Sequence, residues 1–222
     1  MTSSVTDSLL ASLTAPKALE MRPYRHWLLE RVFPEAVAAD LRALPLPVAD
    51  PGALSGKREL HNDTRRYFDE QTQAAHPACA AVAAAFQSDV VVAAVESTTG
   101  ARLDGTFVRL EYAQDVTGFW LQPHTDLGVK RFTLLIYLSE DPDQADLGTD
   151  VYADPHTWAA RPPFLDNTAL MFVPADNTWH GLEKRPIPGV RKSVIMNYVT
   201  DEWIAREQLS SPEPVRGSRL RA

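Results

Sequence analysis

Apolar and polar positions follow two different rhythms along this chain of 222 residues. Up to about residue 105 the apolar positions recur at helical spacing. Pro34 at a first helical position, Glu35 in the first turn, and Val37, Leu41 and Leu44 on one face predict an amphipathic helix that stops before Pro45. A second helical region is expected from Pro77 to about Thr99, interrupted near Ser88-Asp89, which can cap a new helix, and closed by Gly100. Residues 1 to about 22 read as a loosely helical lead-in, Tyr24 to Phe33 as a short strand or a turn entering a helix, and 45–76 as a loop. From Thr106 the rhythm shortens to that of strands, predicted at Thr106–Tyr112, Leu121–Asp126, Arg131–Leu138, Thr149–Ala153, Thr168–Val173, His180–Lys184 and Val190–Thr200. Joined by Gly, Pro, Asp and Asn turns, these suit a two-sheet jelly roll with the helices packed on the outside of a sheet. Beyond Asp201 a short helical stretch is broken by Pro212 and Pro214, and Arg216, Arg219 and Arg221 make a basic end.

The composition suits one sizeable domain: 45% of residues are hydrophobic and 23% charged, enough apolar surface for a proper core. The expected class is mainly β with N-terminal helices (α+β), a single domain over 1–222 with helical support and loops in 1–105, the jelly-roll core in 106–200 and a tail in 201–222. A net charge of −7 disfavours the clustered Lys and Arg that phosphate backbones require, so no nucleic-acid partner is expected. No membrane partner is expected either, since no segment approaches the roughly twenty apolar residues needed to cross a bilayer and the start of the chain lacks a secretory pattern. A lone cysteine, Cys79, points to a reducing cytoplasm. A small-molecule substrate is the expected partner, and the oligomeric state is left open.

The chemistry concentrates in three residues: His124 and Asp126 in Gln-Pro-His-Thr-Asp, and His180 in Asn-Thr-Trp-His-Gly. Successive side chains of a strand alternate faces, so 124 and 126 point the same way with Thr125 turned from them, and a distant strand returns the third ligand. Two imidazoles and a carboxylate covering one face of a metal are the ligand set of non-haem Fe(II) oxygenases, whereas a structural zinc site more often recruits cysteine. The plainer alternative is a turn at His-Thr-Asp and a hydrogen-bonded core histidine at 180. Eleven residues after His180, Arg191 opens a strand-like run in which Arg191 and Ser193 share a face. A guanidinium and a hydroxyl offered together match a carboxylate, and the implied ligand is a small dicarboxylic acid.

At these residues the chain resembles the Fe(II)- and 2-oxoglutarate-dependent oxygenases, in their prolyl-hydroxylase-like branch. The resemblance covers about Thr106 to Thr200 and rests on Phe-Trp-Leu-Gln-Pro-His124-Thr-Asp126, Arg131-Phe-Thr-Leu-Leu-Ile-Tyr-Leu-Ser, Leu-Gly148-Thr, Trp179-His180-Gly181 and Gly189-Val-Arg191-Lys-Ser193, in that order. It implies a double-stranded β-helix in which His124, Asp126 and His180 hold the iron and Arg191, with Ser193, binds the distal carboxylate of 2-oxoglutarate. Tyr112 is similar to the tyrosine that often contacts the cosubstrate. Leu147-Gly148-Thr149 departs from the glycine pair common in relatives, which leaves the shape of the substrate mouth open. The implied activity is a dioxygenase that uses Fe(II), 2-oxoglutarate and O2, with ascorbate as an optional reductant. It would release succinate and CO2 while hydroxylating a C–H bond. A carboxylate at 126 favours hydroxylation over halogenation, with desaturation or ring closure still open.

Other polar residues carry weaker expectations. His26, His61, His76 and His156 have no partner at metal spacing and read as surface or structural histidines. Trp179 is expected to pack under His180, and Asn177 to sit in a turn. The stretch His61-Asn-Asp-Thr-Arg65-Arg66-Tyr67 is either a solvated charged loop or one that folds over the mouth of the jelly roll. Arg109, Glu111 and Arg131 would face the pocket if their strand face is the inward one. The rival classes are a cupin-like metal enzyme without 2-oxoglutarate, a peptidyl-residue hydroxylase, and a binding protein that kept the fold.

Overall fold

The computed structural model describes residues 4–48, 56 and 65–217. His61, Asn62, Asp63, Thr64, Arg219 and Arg221, named above, lie outside the described residues. The lead-in is a well-formed helix α1, Val5–Thr14, started by a reciprocal capping box between Ser4 and Asp7. Two short strands follow, β1 (Ala18–Glu20) and β2 (His26–Glu30). Helix α2 covers Glu35–Arg42 with Pro34 as its N-cap, one residue off the expected start.

The expected loop over 45–76 contains two elements, the edge strand β3 (Arg65–Tyr67) and the helix α3 (Glu70–Ala75), whose first turn is capped by the Asp69 carboxylate. Helices α4 (Pro77–Gln87) and α5 (Asp89–Thr99) break at Ser88, and Gly100 closes α5 with a left-handed φ of 80°. Among the described residues no single helix is long and apolar enough to cross a membrane.

Eight further strands follow: β4 (Phe107–Asp115), β5 (Leu121–His124), β6 (Lys130–Tyr137), β7 (Asp150–Asp154), β8 (Thr157–Ala160), β9 (Thr168–Phe172), β10 (His180–Leu182) and β11 (Arg191–Val199). β8 is an addition to the expected set. After Asp201 the expected helix shrinks to a single tight turn over Arg206–Gln208.

The described strands form two antiparallel sheets, a larger one ordered β1-β2-β9-β6-β11-β4-β3 and a smaller one ordered β5-β10-β7-β8. The outer face of the larger sheet carries the main core. Val108, Leu110 and Tyr112 of β4, Phe132, Leu134 and Ile136 of β6 and Val194, Met196 and Tyr198 of β11 pack there against Val82, Phe86, Val91 and Val95 of the helices. A second apolar cluster joins the two sheets through Leu135, Tyr137, Leu170 and Phe172 on one side and Val151 and Leu182 on the other.

Side-chain alternation then decides what faces inward. On β4, on β11 and on β6 from Thr133 onward the odd-numbered residues look between the sheets, and strand pairing aligns them into rows. Thr133, Asn197 and Arg109 make one row; Leu135, Ile195 and Glu111 the next; Tyr137, Ser193 and Ala113 the third; Arg191 stands opposite Asp115 at the end.

Candidate active site

Strand β5 ends on His124, and β10 begins on His180 directly opposite it in the ladder. Antiparallel pairing therefore brings the two imidazoles together, with ring centroids 4.4 Å apart. Each ring is fixed in the same way: His124 Nδ1 is 2.8 Å from the Gln122 carbonyl and His180 Nδ1 is 2.9 Å from the Thr178 carbonyl. A carbonyl only accepts, so each Nδ1 carries the proton and each Nε2 the lone pair, the tautomer a metal ligand needs. Burial, and then the neighbouring His124, pushes the pKa of His180 down to about 4, so its ring is neutral at physiological pH. The ring of Phe172 packs beside His180 at 4.9 Å, a contact expected of Trp179, which is itself half-buried.

Asp126 stands just past the end of β5, not within it. Its carboxylate is almost wholly enclosed, with 3% of the side chain exposed. Lys130 Nζ donates to Oδ1 at 2.5 Å and Thr133 Oγ1 to Oδ2 at 2.6 Å. Burial alone would raise this carboxyl's pKa; Lys130, His180 and the two hydrogen bonds outweigh it and hold the group well below the usual carboxylate range. Thr133 also accepts from Asn197 Nδ2 at 2.9 Å, and Asn197 Oδ1 accepts from Arg109 Nη1 at 3.2 Å. A continuous polar chain thus runs from Asp126 into the floor of the larger sheet.

His124, Asp126, His180, Arg191 and Ser193 line one cavity. Arg191 is 6% exposed, lies over the ring of Phe164 and is tied down at two points: Nε donates to the Leu147 carbonyl at 2.7 Å and Nη1 to Asp115 Oδ2 at 2.8 Å. Tyr137 lines the same end, and its hydroxyl accepts the Thr149 N–H at 3.2 Å. Two imidazoles, an ionised carboxylate and the absence of a thiolate among the described lining residues fit a divalent ion of the iron type, with an arginine-lined slot beside it. Cys79 lies in the helical core instead.

One expected residue does not reach this cavity. Tyr112 is fully buried on the opposite face of β4, where its hydroxyl donates to the Leu41 carbonyl at 2.8 Å. It shares strand parity with Val108 and Leu110, while the cavity takes Arg109 and Glu111. Arg131 faces solvent and bonds the Gly128 carbonyl at 3.3 Å. His26 is buried, with Nδ1 against the Tyr24 carbonyl at 2.9 Å, a structural histidine as expected.

Residues given no individual role in the sequence reading also line the site: Asp115 and Lys130, which lie outside the quoted motifs, Phe119, Thr133 and Tyr137 from within them, and Arg65 from the edge strand at the described end of the 61–67 stretch. Elsewhere the acids Glu35, Glu140 and Asp166 gather within 4.8 Å of one another, but Arg42 already pairs with all three.

No family model and no curated protein matches the sequence. Solved structures do resemble the fold. A prolyl-4-hydroxylase of Pseudomonas putida superposes with a TM-score of 0.52 at 15% identity, over 90% of this chain and 96% of its own. A prolyl hydroxylase of Trichoplax adhaerens, in complex with a hypoxia-inducible-factor peptide fragment, gives 0.60 at 13% identity, over 88% and 89%. HygX of Streptomyces hygroscopicus, with nickel and 2-oxoglutarate bound, gives 0.54 at 16% identity, over 80% and 83%. The chain therefore shares its fold with prolyl hydroxylases and with a protein solved with 2-oxoglutarate bound, over at least 80% of this chain in each comparison.

Proposed function

We propose that this chain is an Fe(II)- and 2-oxoglutarate-dependent dioxygenase, hydroxylating a C–H bond of a small or medium polar substrate with release of succinate and CO2. The observation that carries the reading is convergence: His124, Asp126 and His180 share one cavity with Arg191 and Ser193, although the five come from three separate segments of chain. We read the two facing sheets as a double-stranded β-helix, and residues 1–222 as one domain.

Iron, with 2-oxoglutarate and O2, supplies the oxidising chemistry, with ascorbate as an optional reductant. The chain's own part is to hold, orient and dry. His124 and His180 offer Nε2, fixed by the carbonyls behind them, and Asp126 offers a carboxylate kept ionised by its neighbours. Arg191, Ser193 and Tyr137, which line the same end of the cavity, would hold the distal carboxylate of the cosubstrate. Leu121, Leu135, Leu182 and Ile195 line the same cavity and keep its walls apolar.

The substrate enters through a groove bordered by Thr125–Val129 and by Glu202–Ala205, which adjoins the ligand cavity through Arg109, His124, Asp126 and Lys130. HygX has also been solved with hygromycin B, which supports a polar small molecule as the substrate class. The peptide held by the Trichoplax enzyme supports a peptidyl residue as the second reading.

The test is direct. Anaerobic protein given Fe(II) and then 2-oxoglutarate develops the weak visible band of a chelate, and no spectral change would remove the bidentate mode. Arg191→Ala weakens 2-oxoglutarate binding on the order of a hundredfold while leaving metal affinity nearly unchanged, as expected for losing a charge-assisted contact. A succinate-release screen over amino acids, sugars and peptides then identifies the substrate.

A further inference from the structure

Five ionisable side chains form one buried cluster along the cavity wall. Arg65 comes from β3, Arg109, Glu111 and Asp115 from β4 and Arg191 from β11, and their exposures are 3%, 3%, 1%, 2% and 6%. The links are short. Asp115 accepts from Arg191 Nη1 through Oδ2 at 2.8 Å and from Arg65 Nη1 through Oδ1 at 2.5 Å. Glu111 accepts from Arg109 Nη2 through Oε2 at 2.6 Å, and its Oε1 lies 3.2 Å from Arg65 Nε. Three guanidiniums thus stand against two carboxylates, a surplus of one positive charge among the described residues. The other charged pair lining the cavity, Lys130 and Asp126, is self-cancelling.

A net charge enclosed in a low-dielectric wall is unfavourable until a counter-ion meets it. Arg191 does not supply that surplus by itself, because Asp115 already faces it. Take Arg65 away and the cluster is neutral, with two cations and two anions. Keep it, and the shared Asp115 leaves the pair Arg65 and Arg191 with one uncompensated charge beside the slot. Arg65 is held in place to do this by the ladder of β3 on β4, where it stands opposite Ala113, and by the ring of Phe119, 4.9 Å from its guanidinium carbon.

We propose that Arg65 is a further positioning residue of the cosubstrate slot, whose charge, transmitted through Asp115, makes the slot selective for a keto acid with a distal carboxylate. This inference rests on the reading of that slot as the 2-oxoglutarate site. It assigns a binding role to the edge strand β3, which lies before the 106–200 core.

The experiment is a calorimetric titration of Mn(II)-loaded protein, without O2, with 2-oxoglutarate and with 2-oxobutyrate, in which hydrogen replaces the distal carboxylate. Arg65→Gln should weaken 2-oxoglutarate binding about tenfold or more while Mn(II) and 2-oxobutyrate affinities move less than about threefold. Arg65→Gln/Asp115→Asn restores the single surplus charge and should bring 2-oxoglutarate affinity back to within about threefold of the parent. Unchanged 2-oxoglutarate affinity in Arg65→Gln, equal weakening of both keto acids, or a double variant no better than the single one overturns the proposal. Should Arg65→Gln fail to take up Mn(II), the double variant decides: a parent-like preference for 2-oxoglutarate supports the role and a lost preference ends it. A parent protein that binds both keto acids equally would overturn the slot itself, and this inference with it; a parent that prefers 2-oxoglutarate and an Arg65→Gln that matches it overturns Arg65 alone.

Discussion

His124 and His180 are cross-strand partners: the last residue of β5 faces the first residue of β10, and their rings stand 4.4 Å apart. Residues separated by more than fifty positions thus become neighbours through a ladder only three residues long on the β10 side. If the pair is the metal-binding unit, His180→Ala leaves one imidazole and one carboxylate. Two ligands cannot hold a divalent ion at micromolar concentration against buffer. The expected outcome is loss of stoichiometric Mn(II) or Fe(II) uptake in equilibrium dialysis with the circular dichroism spectrum retained. Retained uptake would place the third ligand elsewhere.

Lys130 engages the same carboxylate an ion would need. Its ammonium lies on Asp126 Oδ1 while Thr133 holds Oδ2. A cation and an ammonium compete for one oxygen, whereas a hydroxyl on the other oxygen only orients it. Lys130→Met should therefore tighten Mn(II) binding, by about tenfold for one charge pair removed at short range. Thr133→Val should loosen it, because the carboxylate loses its anchor. Opposite signs measured by calorimetry would support this division of labour, and two losses would make Lys130 a structural partner of Asp126.

Much of the architecture was legible because burial and turn chemistry coincide with it. Gly100 stops α5 with a positive φ, Ser88 divides two helices, and seven strands were expected within three residues of where they lie. What escaped was either short or long-range. β1, β3 and β8 are three or four residues each and largely edge elements, so they carry too few alternations to register. The convergence of His124, Asp126, His180 and Arg191 on one cavity was legible from type and order, since few other patterns pair them. Asp115, Thr133, Asn197 and Arg65 were not, because their importance comes from partners on other strands. The mistake at Tyr112 had a remedy in the sequence: Val108, Leu110 and Tyr112 alternate with Arg109 and Glu111, and only the second set is polar.

The two tyrosines separate cleanly by experiment. Tyr112 donates to the Leu41 carbonyl at 2.8 Å inside the helix-side core, so Tyr112→Phe leaves a buried carbonyl short of a partner. The expected cost is about 1 kcal/mol of stability, read as a lower denaturant midpoint, with no change in 2-oxoglutarate affinity. Tyr137 lines the cavity beside Arg191. Tyr137→Phe should reduce 2-oxoglutarate affinity by about tenfold or more, for loss of one hydrogen bond to a charged group, with a smaller effect on the midpoint. The reverse assignment of the two effects would restore Tyr112 to the site.

Gly181 tests whether the spacing of the two histidine strands matters. A Cβ built there would lie 2.8 Å from the Leu121 carbonyl oxygen and 3.2 Å from backbone atoms of Gln122. Those are main-chain atoms of β5, so they cannot swing aside as a flexible side chain would. Gly181→Ala must then push β5 away from β10, and β5 carries His124 at its end. The strain is local, because Gly181 adjoins His180 in the smaller sheet and the main core lies on the far face of the larger one. Thermal unfolding should fall by only a few degrees, about 1 to 2 kcal/mol for a domain of this size, while Mn(II) affinity falls tenfold or more. A variant that keeps full metal affinity would show that the imidazoles adjust independently of their strands, and the paired ladder would then be incidental to the metal centre.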